Sequence, residues 1–266
     1  VSDPYGRRGR VGLLVPQANA VAEAEAAILM PRGVGLVTAR LTSPKPTIEA
    51  RLADYLDGIV DTAGRFGGVR LDAIGFACTG ASYPLDPVDE DARLAACSTA
   101  LGAPVISAAR AVVDALNALG ARRIALISPY PEALTRASER YWAARGFGVA
   151  QVVPVQAADA AIPAGAHPIY ALSDEAVRRA LDAVDGARAD AVVLLGTGIA
   201  SLPAIAARPR VDAAPVLSCM LALAWACARP IEADSDDDAV PVEPGRARLL
   251  RWIDGFDWIG RLDERR

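Results

Sequence analysis

The sequence predicts an α/β fold built from two related halves, with parallel sheets covered by helices on both faces and a cleft between the halves. Three observations predict it. Short β-branched runs alternate with Ala-rich amphipathic stretches along all 266 residues, the pattern of strand–helix units that feed a parallel sheet. Three segments occur twice, in the same order and at similar spacing: RVGLLVP (Arg10–Pro16) and RIALISP (Arg123–Pro129), DAIGFACTG (Asp72–Gly80) and DAVVLLGTG (Asp190–Gly198), APVIS (Ala103–Ser107) and APVLS (Ala214–Ser218). The polar motifs PQAN, CTGAS, SPYP and GTGIAS each begin where an apolar run stops. In open α/β sheets ligands bind at those carboxyl ends.

In chain order, Val11–Val15, Gly35–Leu41, Ala73–Ala77, Pro104–Ile106, Ile124–Ile127, Val149–Val155, Ala191–Leu195 and Pro215–Leu217 read as strands. They are short, apolar and bounded by Gly, Pro or Asp. Helices are expected near 20–30, 47–65, 90–101, 108–119, 131–145, 173–185 and 219–229. The repeat divides the chain into a first unit at 1–120, a second at 121–230, and an acidic loop with a docking tail at 231–266. The last helix of each copy can cross to the other unit, which would make the spatial lobes discontinuous. Glu232–Asp238 reads as a solvated acidic loop. RLLRWIDGFDWIGRL, with two Trp and one Phe, is apolar enough to dock on the body or on a second subunit as a homo-oligomer.

Composition bounds the function. The chain is 53% hydrophobic and 23% charged with a net charge of −4, which suits a globular protein with sizeable cores. It has no basic run to bind nucleic acid. No apolar run reaches the roughly 20 residues of a membrane span, and the opening VSDPYGRRGR carries no signal-like apolar stretch. A cytoplasmic protein with no membrane partner is expected. Cys78, Cys97, Cys219 and Cys227 show no metal-ligand spacing, and reduced thiols are expected. With His167 the sole histidine, a zinc site built on two or three histidines is excluded and no metal is expected; a Ser-His-Asp triad would have to use His167, and no serine sits in a GxSxG elbow to join it.

The middle repeat is where the copies diverge: Cys78 in one half stands opposite Gly196 in the other. A cysteine at a strand-to-loop turn meets backbone N–H donors that lower a thiol pKa and hold anions; the alternative is a small buried hydrophobe. Thr79 and Gly80 continue that turn. Gly196, Thr197 and Gly198 form either an anion nest with room for a substituent or an ordinary tight turn. Asn19 can hold a carboxylate or cap the next helix, and Gln17 lies in the same PQAN turn. Tyr130 can donate to an oxyanion or simply pack. His167 and Cys219 are further possibilities, and Cys97 and Cys227 read as packing.

Through CTGAS with GTGIAS, VPQAN, SPYPEAL and VLSCMLALAW, the chain resembles the aspartate/glutamate racemase superfamily from about Arg10 to Arg229, in its maleate isomerase and arylmalonate decarboxylase branch. The resemblance implies a pseudo-two-fold pair of flavodoxin-like lobes, no cofactor, no metal, and a small carboxylate substrate bound between the lobes. It implies that Cys78 is the first of the family's two facing cysteines, the nucleophile in isomerases, and that Gly196 stands where the second should be. It also implies that Asn19 holds a carboxylate, that Tyr130 matches the tyrosine of a TPY segment, and that Thr79 and Thr197 supply backbone donors. With one thiol, two-base racemisation is not expected. An isomerase that adds Cys78 to a cis-enedioate remains. So do a decarboxylase that protonates an enediolate from Cys78 and a carboxylate-binding protein without catalysis.

Overall fold

The strand and helix signals assemble into two sheets. The structure, a computed structural model, describes residues 4–156, 168–233 and 245–265. The first half contains β1 (Gly9–Pro16), α1 (Val21–Leu29), β2 (Val34–Leu41), α2 (Ile48–Asp57), α3 (Ile59–Ala63), β3 (Ala73–Phe76), α4 (Pro87–Leu101), β4 (Val105–Ser107) and α5 (Ala108–Leu119). The second contains β5 (Arg123–Ser128), α6 (Glu132–Ala144), β6 (Gly148–Pro154), α7 (Asp174–Asp182), β7 (Ala191–Leu194), α8 (Leu202–Ala207), β8 (Arg210–Val211), β9 (Ala214–Ser218) and α9 (Cys219–Ala233). The tail carries α10 (Gly245–Ile253) and α11 (Ile259–Asp263).

The sheet orders are β2-β1-β3-β4 and β6-β5-β7-β9-β8, parallel throughout except that β8 runs antiparallel to β9. The order 2-1-3-4 therefore recurs as 6-5-7-9. The repeated residues explain why. Asp72 Oδ2 accepts from the Arg10 N–H at 2.7 Å, and its counterpart Asp190 Oδ2 accepts from the Arg123 N–H at 2.8 Å, so one aspartate in each half pins the central strand to its neighbour. Ser107 Oγ accepts from the Arg110 N–H, and Ser218 Oγ from the Leu221 N–H. Each serine thus ends a strand and caps the following helix, which leaves that helix start with one fewer unpaired donor.

The cores follow from the continuous apolar strands. Leu13, Leu14, Phe76, Ile124, Leu126, Val192, Val193 and Leu217 are all buried, each worth about 1.5–3 kcal/mol of transfer free energy. Helix α9 lies against β3, β1 and β4 of the first sheet, and against α5, so a helix from the second half covers the first half's strands. A polar seam also joins the halves. Buried Glu90 on α4 accepts from Tyr141 Oη at 2.7 Å, from Ser107 Oγ at 2.8 Å and from Arg145 at 2.5 Å.

Two details differ from the sequence expectation. The helix at 47–65 is two helices, broken at Gly58. The strand β8 and the six-residue α8 are too short to show a period. The tail packs with Leu249, Trp252, Ile253 and Trp258 buried, α10 against α5 and α9 and α11 against α8. Most of the acidic loop and His167 lie outside the described residues. Among the described residues no helix is long and apolar enough to cross a membrane.

Candidate active site

Cys78 follows β3 directly, with its backbone extended (φ −142°, ψ 91°), and starts a short 3-10 turn at Thr79–Ala81. Only 6% of the residue is exposed, yet it lines a cavity of about 70 Å³. The wall is drawn from both halves: Gln17, Thr79 and Gly80 from the first, Tyr130, Tyr170, Thr197 and Gly198 from the second. Sequence reasoning missed one whole wall. Ile48, Arg51, Leu52 and Tyr55 of α2 all face the cavity, at the spacing that places residues on one helical face. The available signal was an arginine inside the apolar stripe of an amphipathic helix.

The electrostatics correct one expectation. The Cys78 thiol is not acidified: burial pushes it up to about 12, and the single backbone N–H that reaches it, from Ala81, offsets little of that. Loss of solvent around a charged sulfur outweighs one oriented donor. Burial raises Tyr130 well above the ordinary phenol value, and proximity to Cys219 and Cys78 adds to the shift. Tyr170 is raised for the same first reason, with Arg40 and Arg51 pulling the other way. Arg51 donates from Nε to the Lys45 carbonyl at 2.6 Å. It has no ion pair among the described residues, so its charge is available to an anion in the cavity. The N–H groups of Thr79, Gly80, Thr197 and Gly198 likewise have no hydrogen-bond acceptor among the described residues.

Two further expectations meet a different geometry. Asn19 does not line the cavity. Its Oδ1 accepts from the Val21 and Ala22 N–H groups, both at 3.0 Å, and its Nδ2 donates to the Thr197 carbonyl and hydroxyl at 3.1 and 3.2 Å. Its donors and lone pairs are engaged, so the amide caps α1 and ties the halves. Gly196 is not an open shelf. It has φ +87°, and a Cβ placed there would lie 2.8 Å from Ile169 Cδ1, 3.1 Å from Tyr130 Oη and 3.3 Å from Pro129 Cγ. The left-handed backbone favours glycine, and a side chain there would have to displace the far ends of the Ile169 and Tyr130 side chains.

The remaining candidates separate. Gln17 lines the cavity while its Oε1 accepts from the Ser43 N–H at 2.7 Å. Gly198 allows the Tyr170 ring to approach, since a Cβ there would meet Tyr170 Cε1 at 2.5 Å. Cys219 is fully buried at the start of α9. Burial lifts its thiol to about 11, with the Thr79 hydroxyl and the Gly196 N–H beside the sulfur. The Thr79 hydroxyl is buried without a satisfactory hydrogen bond among the described residues, set between Cys219 and Tyr130. Among the described residues no three His, Cys, Asp or Glu side chains cluster as a metal site would need.

A buried sulfur, an arginine without an ion pair and four backbone N–H groups without an acceptor among the described residues line one small cavity, a set suited to nucleophilic or proton-transfer chemistry on an anion. The relatives agree with that chemistry. The sequence matches the arylmalonate decarboxylase family over residues 11–241. A maleate isomerase from Geobacillus stearothermophilus is 31% identical over 209 residues, 74% of this chain and 81% of that protein. The structure of a Nocardia farcinica maleate cis-trans isomerase variant, with a covalently bound succinylcysteine intermediate, superposes with a TM-score of 0.74 at 26% identity, covering 91% of this chain and 98% of that one. An arylmalonate decarboxylase structure shares the fold, with a TM-score of 0.69 at 19% identity over 85% of this chain and 94% of that one. The chain belongs to the arylmalonate decarboxylase family, and within it is similar to the maleate isomerases.

Proposed function

We propose that this protein is a maleate cis-trans isomerase-like enzyme that works on a small dicarboxylate without a cofactor, through Cys78. The Cys78 sulfur adds to one olefinic carbon of a cis-enedioate. The former double bond becomes single and rotates, and departure of the sulfur leaves the trans isomer. Arg51 holds one carboxylate by charge. The N–H groups of Thr79, Gly80, Thr197 and Gly198 receive the other carboxylate and the negative charge that develops on it during addition. The four cysteines are free, which supports the cytoplasm as its compartment.

The observation that carries this reading is the meeting, in one small cavity, of the Cys78 sulfur with Arg51, which makes no ion pair among the described residues. A second reading has support from the raised thiol. A sulfur that stays protonated suits an acid that delivers a proton to an enediolate after an arylmalonate loses CO₂. Proton NMR of the protein with maleate tests the first reading, because maleate and fumarate have distinct olefinic signals. Conversion is expected. An unchanged maleate signal, with release of CO₂ from a prochiral arylmalonate, would overturn it in favour of the second. Tight carboxylate binding with neither reaction would leave only a binding protein.

A further inference from the structure

The internal repeat places Gly196 opposite Cys78, and the surroundings of Gly196 identify what occupies the space a side chain would use. Tyr130 Oη lies 3.1 Å from the position of a Cβ at Gly196. The same tyrosine lines the cavity with Cys78, and the two groups are close enough for the sulfur to influence the phenol. The other two phenols of the cavity have other neighbours. The Tyr55 oxygen faces the Gln17 N–H, and Tyr170 packs over Gly198. No carboxylate or histidine lines the cavity among the described residues.

We propose that the Tyr130 hydroxyl donates and recovers the proton at the substrate carbon adjacent to the one attacked by Cys78, standing in for a side chain at position 196. This rests on the isomerase reading above. As the sulfur–carbon bond forms, the π bond breaks and its electron pair moves to the neighbouring carbon and its carboxylate. The Tyr130 O–H proton passes to that carbon. The proton released from Cys78 replaces it on the phenol oxygen, directly or through one water. The product is a thioether with a rotatable carbon–carbon bond. Reversal of the same transfers after rotation expels the sulfur and returns both protons, so nothing is oxidised or reduced.

Two features of the surroundings suit this role. Burial keeps the phenol protonated at neutral pH, so a proton is present when the carbanion forms. The Thr79 hydroxyl beside it is otherwise unsatisfied and can rotate, accepting from the phenol in one state and donating to the phenolate in the other.

The full chain carrying Tyr130→Phe tests the role, with maleate as substrate and the unfolding midpoint as a check on folding. The expected result is a fall in kcat of about a hundredfold or more with KM within about threefold of wild type. A kcat held within about threefold, or a loss confined to KM, would overturn the proposal and leave the isomerase reading standing. A wild-type protein that leaves maleate unchanged would overturn both. Should Tyr130→Phe fail to fold, 3-fluorotyrosine at position 130 keeps the shape and makes the hydroxyl more acidic. The high-pH limb of kcat should then move to lower pH, and an unmoved limb would overturn the proposal.

Discussion

The turns Cys78–Ser82 and Gly196–Ser201 descend from the same repeated segment and have opposite states of satisfaction. In the first, the Ser82 hydroxyl is buried without a hydrogen-bond partner among the described residues, and the Thr79 hydroxyl has the Tyr130 phenol and the Cys219 thiol beside it without a well-formed bond to either. In the second, the matching Thr197 hydroxyl donates to the Ala77 carbonyl at 2.7 Å and accepts from Asn19, and the Ser201 hydroxyl donates to Glu25 at 2.8 Å. Buried polar groups are nearly always paired, and the exceptions mark function or strain. One copy has kept its polar groups open around a sulfur. The other has closed its own and become the scaffold that the first works against.

Removing the sulfur makes the sharpest break in that contrast. Cys78→Ala should lower maleate turnover by at least about a thousandfold, since no other thiol lines the cavity among the described residues. Fumarate formation followed by NMR measures it. Residual turnover near the wild-type rate would move the chemistry away from this turn altogether.

The reverse experiment is to make the second turn resemble the first. Gly196→Cys must place a side chain at φ +87° and against Ile169. The left-handed backbone costs about 1–2 kcal/mol and overpacking about 1–3 kcal/mol more. The urea midpoint should fall by the equivalent of about 2–5 kcal/mol, and Ile169→Ala in the same chain should recover the overpacking part. An unchanged midpoint would mean that the second turn is still able to accept a thiol.

The repeat itself was legible because each matched residue has a local task. Asp72 and Asp190 tie neighbouring strands, and Ser107 and Ser218 cap the next helices. Cys78 was legible because a strand end is where such sheets hold ligands. Three things were not. Asn19 and Thr197 are 178 residues apart, and only the folded chain reveals that they bond to each other. Whether donors or burial would control the Cys78 thiol depended on depth, which no turn motif encodes. The α2 wall was hidden because an amphipathic pattern at 47–65 announces a helix without saying which surface its apolar stripe meets.

Glu25 tests how firmly the closed turn is held. Its Oε1 accepts from the Ser201 and Leu202 N–H groups at 2.5 and 2.9 Å, so a carboxyl of the first half caps α8 in the second. Burial outweighs those bonds and raises the carboxyl from 4.5 to about 7. The folded chain therefore binds this proton more tightly than the unfolded chain. The stabilisation is fully present below pH 4.5 and is lost as pH rises through about 7, a change on the order of 3 kcal/mol. Urea unfolding across that window should show the wild type losing stability relative to Glu25→Gln, whose amide keeps the acceptor without the charge. Parallel profiles for the two proteins would place the titration elsewhere.

The finest comparison uses one substitution at the two matched threonines. Thr197→Val removes a buried hydroxyl that bridges Ala77 and Asn19 and leaves the Ala77 carbonyl and an Asn19 donor unpaired, at a cost of about 1–3 kcal/mol. Thr79→Val removes a hydroxyl that has no satisfactory partner, so the folded state loses no bond and should change by less than about 0.5 kcal/mol or gain slightly. Activity should rank the other way. Thr79→Val takes away the hydroxyl beside Tyr130 and should slow turnover, whereas Thr197→Val should leave kcat near wild type wherever the chain is folded. Equal stability losses from both substitutions would mean that the two turns are satisfied alike, and the division into an open copy and a closed one would have to be given up.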